Sequence, residues 1–544
     1  MKTKFKRIKK AAAILLIALF TISAAGCQSQ SDDGNGKTEE KKVLNAALGA
    51  EPASMDPAIS LTIDVRSYLS HVFEGLTVFD ENGNLDYGVA KAWEANEDCS
   101  EYKFTLREDA VWTDGEPVTA EDFKYAWLRV LDPETASGWA SYLYYIKGAE
   151  AYNSGMGTAD EVGIEIGENG ELIVTMESTC SFFAEMTAMQ PYYPVRQDVI
   201  ETYGDTWAAN EEHFVSNGAY VLSEWKHDEM LVCEKNEAYW NAEKVNLQQI
   251  CFYLLSDSNA AMNAYEADTI DFVESVLTSD EMEQIAEVQS CDFTYTKFLA
   301  LNLQRDVFAD VRVREAIAIA LDRETIASFM GTGYKGLCTW VPEGFVNPDT
   351  GKDYRDADEK TYYTANADLE TAKNLMEEAG YPEGEGFPTI TYLTNTSSSN
   401  TQLAQIVKEQ LSKIGINVNV EAYESKVFNE YRYNREFDIV AASWAAEYPD
   451  ISSYFYGLQS KDINNYASFC SERFDELYMQ ALAVQDVGER YELYHEAENL
   501  AMESYGVIPL YAIDTQYIAK DGLTNYTHDV TGCLNFNYAK YEES

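Results

Sequence analysis

Residues able to do covalent or metal chemistry are spread thinly through this sequence. Five histidines (His71, His213, His227, His495, His528) form no pair at helical spacing, and no Cys-x-x-Cys occurs. Neither a metal site nor a redox pair is expected from such spacing. Ser223-Glu224-Trp225-Lys226 matches the Ser-x-x-Lys of penicillin-interacting enzymes, but it falls beside a β-like stretch with no Lys-Thr-Gly after it. There is no Gly-x-Ser-x-Gly elbow, no Walker loop, no His-Glu-x-x-His and no dinucleotide-binding glycine pattern. Carboxylates are plentiful, 92 Asp and Glu against 40 Lys and Arg, so close acid pairs arise by number alone and imply no glycosidase. No catalytic residue, metal or cofactor is expected. The residue types point to recognition rather than bond-making.

The elements that would position a binding site are easier to read. Apolar residues make up 46% of 544, which supplies material for a core and for more than one domain. The net charge of −52 argues against nucleic acid, which needs clustered Lys and Arg. Val43 to Leu48, Tyr102 to Leu106, Leu172 to Met176, Ala219 to Leu222 and Phe298 to Leu303 read as strands. Asp310 to Phe329, Asp368 to Ala379, Thr401 to Ile414 and Phe474 to Ser504 carry apolar residues at helical spacing. Gly380 and Pro382 follow the second of these as stop signals. Thr389 to Leu393, the helix through Ile414, and Val418 to Glu421 form a strand–helix–strand unit. That unit predicts a partly parallel sheet in an α/β protein of several lobes.

The first ten residues hold six positive charges and no acid, and Ala11 to Ile22 is an almost unbroken apolar run. At about 12 residues it is too short for a stable span of the bilayer and reads as a signal-peptide core. It ends in Ala24-Ala25-Gly26-Cys27, which resembles a bacterial lipobox with Ala24 in the usual Leu place. Cys27 is then expected to take a lipid anchor and become the mature N-terminus. Residues 28–42 contain no large apolar side chain and are expected to form a flexible tether. The other eight cysteines (Cys99, Cys180, Cys233, Cys251, Cys291, Cys338, Cys470, Cys533) lie far apart, and spacing fixes no pairing.

Longer motifs carry a resemblance. Phe73-Glu74-Gly75-Leu76, Gly88-Val89-Ala90, Trp93, Phe104 to Arg107, Trp112-Thr113-Asp114-Gly115, Pro117 to Phe123 and Trp127 follow one another in order. Asn217 to Tyr220, Trp225, Asn236, Tyr239-Trp240, Asp310 to Arg314, Leu321 to Arg323, Trp444 to Asp450 and Ile508 to Tyr511 continue the series. The string, covering essentially residues 43–544, resembles the family 5 extracellular solute-binding proteins, the oligopeptide- and dipeptide-binding receptors of ABC importers. The resemblance implies a type II periplasmic-binding-protein-like α/β fold. Two lobes with an additional domain would close over the ligand about a hinge. Domain I would be 43–73, 195–293 and 512–544, domain II 74–194, and domain III 294–511, with the hinge near residues 293 and 511. Many motif residues are expected to be structural: a tight turn at Trp112 to Gly115, ion pairs at Arg312 and Arg314, and core packing for Trp225, Tyr239 and Trp240.

A receptor for many peptides must hold the ligand main chain firmly and its side chains loosely. In oligopeptide-binding relatives the acid that takes the ligand's α-amine follows Trp-x-Ala-Asp-Tyr. Here the segment is Trp444-Ala445-Ala446-Glu447-Tyr448, so the resemblance assigns that role to Glu447, one methylene longer. Asp450 is expected to be a cap or turn residue. By the same resemblance, Leu61-Thr62-Ile63 and Ser443-Trp444-Ala445 would pair with the ligand backbone. Trp139 would pack over the ligand, and Tyr511 would sit near the pocket at the hinge. Ala441-Ala442-Ser443 offers no Arg as a clamp for a peptide's C-terminal carboxylate. The expected partners are a peptide, the transmembrane subunits of an ABC permease and, through Cys27, the outer face of a Gram-positive-type cell membrane, with the protein a monomer. The alternative is a receptor of the same family for a dipeptide, metal chelate, haem or sugar. The surplus negative charge is expected to favour cationic or zwitterionic peptides, within the reach that salt screening permits.

Overall fold

The computed structural model describes residues 42–274, 288–291, 294–331, 333–357 and 360–542. The expected signal segment, Cys27 and the tether up to residue 41 lie outside them. Among the described residues no helix is long and apolar enough to cross a membrane.

Among the described residues, three sheets of four or more strands organise the chain. It opens with β1 (Val43–Gly49) and leaves for a four-stranded antiparallel sheet of β2 (Ala90–Ala95), β3 (Glu101–Leu106), β4 (Ile164–Ile166) and β5 (Leu172–Thr175). It returns with β6 (Tyr220–Lys226), β7 (Met230–Lys235), β8 (Gln249–Leu254), β9 (Phe272–Glu274) and β10 (Gln289–Cys291). A second lobe follows with β11 (Tyr295–Leu301), β12 (Tyr334–Gly336), β13 (Ile390–Asn395), β14 (Val418–Tyr423), β15 (Ile439–Ala445) and β16 (Val507–Ile513), and β17 (Thr515–Ala519) comes back to the first. The strand orders are β10-β17-β9-β1-β8-β7-β6 and β12-β16-β11-β15-β13-β14. Two crossings therefore join the large sheets, after β10 and between β16 and β17. Strand β16 keeps its ladder with Tyr334 and Lys335 through Ile513, two residues past the boundary expected at 511.

The helices used below are α1 (Ile63–Val72), α2 (Val311–Ile319), α3 (Arg323–Met330), α4 (Ser398–Ser412), α5 (Ser425–Tyr433), α6 (Glu472–Ala481) and α7 (Val487–Glu503). The expected strand–helix–strand unit is present: β13 pairs in parallel with β14, with α4 as the crossover. Two long helices read from periodicity are each broken in two. Asp322 caps α3 by accepting the Thr325 amide at 2.8 Å, and Asp486 caps α7 by accepting the Glu489 amide at 2.8 Å. A carboxylate that satisfies orphan N–H groups starts a new helix even where apolar spacing continues. Arg323, fully buried, donates to the carbonyls of Ala318, Thr364 and Pro509 around the first break.

Several motif residues make contacts within the fold. Glu74 is buried and accepts from the Tyr239 hydroxyl and, at 2.7 Å, from the Trp240 indole. Arg107 lies 3.3 Å over the Trp240 ring, so three separated motifs meet at one carboxylate. Arg312 pairs with Asp310 at 2.6 Å. Among the described residues Arg314 makes no ion pair; it donates to the Phe308 and Ser504 carbonyls at 2.7 Å each, because chain ends of neighbouring elements leave acceptors there. All eight described cysteines are free thiols.

Candidate functional site

The six-stranded sheet presents one face built from alternating residues of its central strands. Strands β11 and β15 pair antiparallel, with Tyr295 opposite Ala445, Thr296 opposite Trp444 and Lys297 opposite Ser443. Side chains alternate across a strand, so Trp444 and Thr296 go to one face, Ser443, Ala445, Tyr295 and Lys297 to the other. Trp444 is buried, and its indole donates to the Ser453 carbonyl at 2.7 Å. Its ring fills space that only Gly457 leaves free, since a Cβ there would stand 2.1 Å from the indole. Trp444 can therefore offer a ligand its main chain alone. Ser443 is exposed.

Tyr511 joins the same row, because β16 places it opposite Lys297 on the other side of β11. The register shifts between Lys297 and Phe298, whose partner is Pro509. Such a bulge re-aims side chains locally. The buried Tyr511 ring meets Tyr334 edge-on at 5.2 Å, so at the crossing it packs within its own lobe.

Strand β15 has an open edge. Among the described residues, on the β13 side only Ile439 and Val440 have partners, Tyr392 and Leu393. From Ala441 to Ala445, pairing among the described residues is with β11 alone. Alternate main-chain N–H and C=O groups are thus left turned outward, a template for an added strand. Glu447 stands just beyond this edge. Its side chain is open to water, yet the desolvating walls around it raise its pKa above the ordinary carboxylate value. A hydrogen bond from Tyr456 opposes that rise, and the charge of Asp462 adds to it.

The expected first-lobe contacts lie at the start of α1 and along Gly138 and Trp139. Leu61 is exposed, Thr62 is the extended N-cap of α1, and Ile63 is its exposed first residue. The extended stretch therefore ends at Thr62, since the main chain of Ile63 belongs to the helix. Trp139 is buried rather than standing over an open surface, because its indole N–H needs an acceptor and finds the Ser60 carbonyl at 2.6 Å. It meets Tyr142 edge-on at 5.0 Å. Gly138 allows the close approach: a Cβ there would lie 2.8 Å from Leu61 Cδ1. Tyr142 in turn feels the charges of Glu447 and of Arg66 on α1, which links this group to the second lobe.

A further bridge runs between residues 145–185 and the second lobe. Arg490 on α7, buried, lies 3.2 Å from Asp450 and 4.0 Å from Glu185, and donates to Ser181 Oγ at 2.9 Å. Phe182 stacks on Tyr448 at 4.9 Å and 5°. Asp450 is also the cap expected of it, accepting the Ser452 amide at 2.8 Å. A cavity of about 320 Å³ beside this bridge is lined by Asn84, Glu185, Phe345, Asp450, Arg490 and Tyr491. Among the described residues no three His, Cys, Asp or Glu side chains are placed to share a metal ion.

Lys297 and Tyr295, which share the face of Ser443, were not anticipated from the sequence. The available signal was one lysine inside Tyr295 to Leu301, a run that is otherwise apolar or hydroxylic.

Known proteins match along nearly the whole chain. Residues 84–466 fit the bacterial extracellular solute-binding proteins, family 5 middle. The dipeptide-binding protein DppE of Bacillus subtilis is 29% identical over 98% of this chain and 99% of its own. The unliganded open form of the MppA periplasmic murein tripeptide binding protein is 30% identical, with a TM-score of 0.81 over 92% of this chain and 98% of that one. Haemophilus influenzae OppA in complex with RPPGFSPFR is 26% identical and gives 0.67 over 93% of this chain and 100% of that one. The lobes thus stand closer to the open arrangement than to that of the peptide complex.

Proposed function

The chain belongs to the family 5 bacterial extracellular solute-binding proteins, and we propose that within this family it captures peptides outside the cell and hands them to an ABC permease. The observation that carries the reading is the open Ala441–Ala445 edge of β15 with Glu447 at its end. An extended peptide adds a strand to that edge through main-chain bonds that ignore its sequence. The Glu447 carboxylate takes the α-amine, a charge-assisted contact that fixes register. Leu61 and Thr62 hold the peptide from the other lobe. The work is capture, closure and docking, with no catalytic residue.

Cys27 carries the lipid anchor, residues 28–42 are the tether, and the protein works as a monomer on the extracellular face of the cell membrane. Lobe closure follows from bending at the two crossings between the large sheets. Small-angle scattering checks this: a pool of di- to pentapeptides is expected to reduce the radius of gyration, whereas sugars, haem and nickel chelates are expected to leave it unchanged. Closure by one of those solutes, with none by the pool, would replace the peptide reading with that solute.

A further inference from the structure

Spacing leaves the pairing of the cysteines open, but the fold brings two of them together. Cys99 closes the turn between β2 and β3, and Cys180 follows β5. The Cys180 amide donates to the Cys99 carbonyl at 3.1 Å, just past the antiparallel pairing of β3 with β5. Such a main-chain bond sets Cα atoms about 5.5 Å apart, inside the window of about 4.4–6.8 Å that a disulfide spans. Both residues are fully buried. Tyr102 on β3 serves both: its hydroxyl donates to the Cys180 carbonyl at 2.7 Å and lies within hydrogen-bond reach of the Cys99 thiol.

Two further observations set this pair apart. Cys99 has a φ of 55°, the left-handed region that Gly and Asn enter readily and other residues enter at a cost. A thiol at that position answers to something other than turn propensity. Cys233 and Cys251 also lie on neighbouring strands, β7 and β8, but they stand opposite Ile250 and Val232. Their side chains therefore leave opposite faces of the sheet, and no bond can join them.

We propose that Cys99 and Cys180 form a structural disulfide in the exported protein. The oxidant is an exported dithiol–disulfide oxidoreductase, acting by exchange through a mixed disulfide. One S–S bond forms here and one breaks in that enzyme, which leaves as the dithiol with the two protons and two electrons. In this structure both residues are thiols, and burial raises the pKa of each, so neither is reactive once folded. The exchange therefore takes place before folding buries them. The inference requires export but no particular ligand.

The bond pins the segments by which this part of the chain meets the second lobe. Beside Cys180, the Ser181 amide donates to the Leu482 carbonyl at 2.9 Å, and Phe182 stacks on Tyr448. In the turn that Cys99 closes, the Asn96 carbonyl accepts from the Gln485 side chain at 3.1 Å. The crosslink holds the two segments together as one platform.

The test is mass spectrometry of the extracellular chain from residue 28, exported to a bacterial periplasm, then denatured and alkylated with and without prior reduction. The expected result is two fewer alkyl groups without reduction, and a proteolytic peptide pair joined through Cys99 and Cys180. Dithiothreitol is expected to lower the thermal midpoint of this protein by about 3 °C or more, and to leave that of the Cys99→Ala/Cys180→Ala double variant in place. Free thiols at both positions, or a crosslink from either to another cysteine, overturns the inference. So does a midpoint that dithiothreitol does not move, or an equal fall in the double variant. Each of these outcomes leaves peptide capture standing.

Discussion

Glu447→Gln is expected to weaken binding of peptides with a free α-amine by about 10- to 100-fold, and to leave the residual binding of N-acetylated peptides unchanged. A hydrogen bond to a charged group contributes about 1.5–3 kcal/mol, which corresponds to that range. The loss should lie in the amine alone, because the main-chain edge of β15 is untouched by the substitution. A pH dependence accompanies it. Desolvation raises the Glu447 pKa in the free protein, and an ammonium beside it favours the ionised form. Binding therefore releases protons in the acid range, and affinity rises with pH until Glu447 is fully ionised. Titration in buffers of different ionisation enthalpy measures the release, which should be absent in Glu447→Gln. Equal affinity of the two proteins for a free-amine peptide would remove Glu447 from the site.

Arg490→Met is expected to destabilise the fold by about 3–5 kcal/mol, the range for removing one partner of a buried pair. Asp450 is nearly fully buried and loses its cation, while Ser181 loses a donor. Glu185 supplies a pH signature. Burial pushes its pKa up to about 7, with Arg490 pulling it down and Asp450 pushing it up. The folded protein thus holds a proton that the unfolded chain has already lost between the ordinary carboxylate pKa and about pH 7. Stability from this group is present below that window and falls as pH rises through it. Removing Arg490 takes away the downward pull, so the loss between pH 5 and 8 becomes steeper. Urea unfolding at both pH values reads both effects; an unchanged midpoint with an unchanged slope would show the bridge to be unimportant for stability.

Much of the lobe architecture is local in origin, and such parts were legible. Val43 to Leu48 and Tyr102 to Leu106 obey strand periodicity, and β13–α4–β14 follows from two strand runs around a helical one. Asp322 and Asp486 were readable as caps but were hidden because apolar spacing runs on through both. Glu447 was legible only through the resemblance of Trp444 to Tyr448 to a known pattern; nothing in composition distinguishes it among the acids. Trp139 and Trp444 were visible as large aromatics, but the carbonyls that bury them, Ser60 and Ser453, come from folding rather than from spacing. Lys297 escaped because its surroundings depend on β15, β16 and α4 arriving around it. The Arg490–Asp450–Glu185 bridge joins residues with no local signal, so only tertiary packing reveals it.

The most direct measurement of peptide capture is native mass spectrometry of the refolded extracellular chain after incubation with a protease digest of casein and a mixture of sugars, haem and nickel chelates. The expected result is one peptide retained per protein chain, drawn from many sequences and carrying free α-amines. Retention of a non-peptide solute in place of any peptide would contradict capture of peptides at the β15 edge.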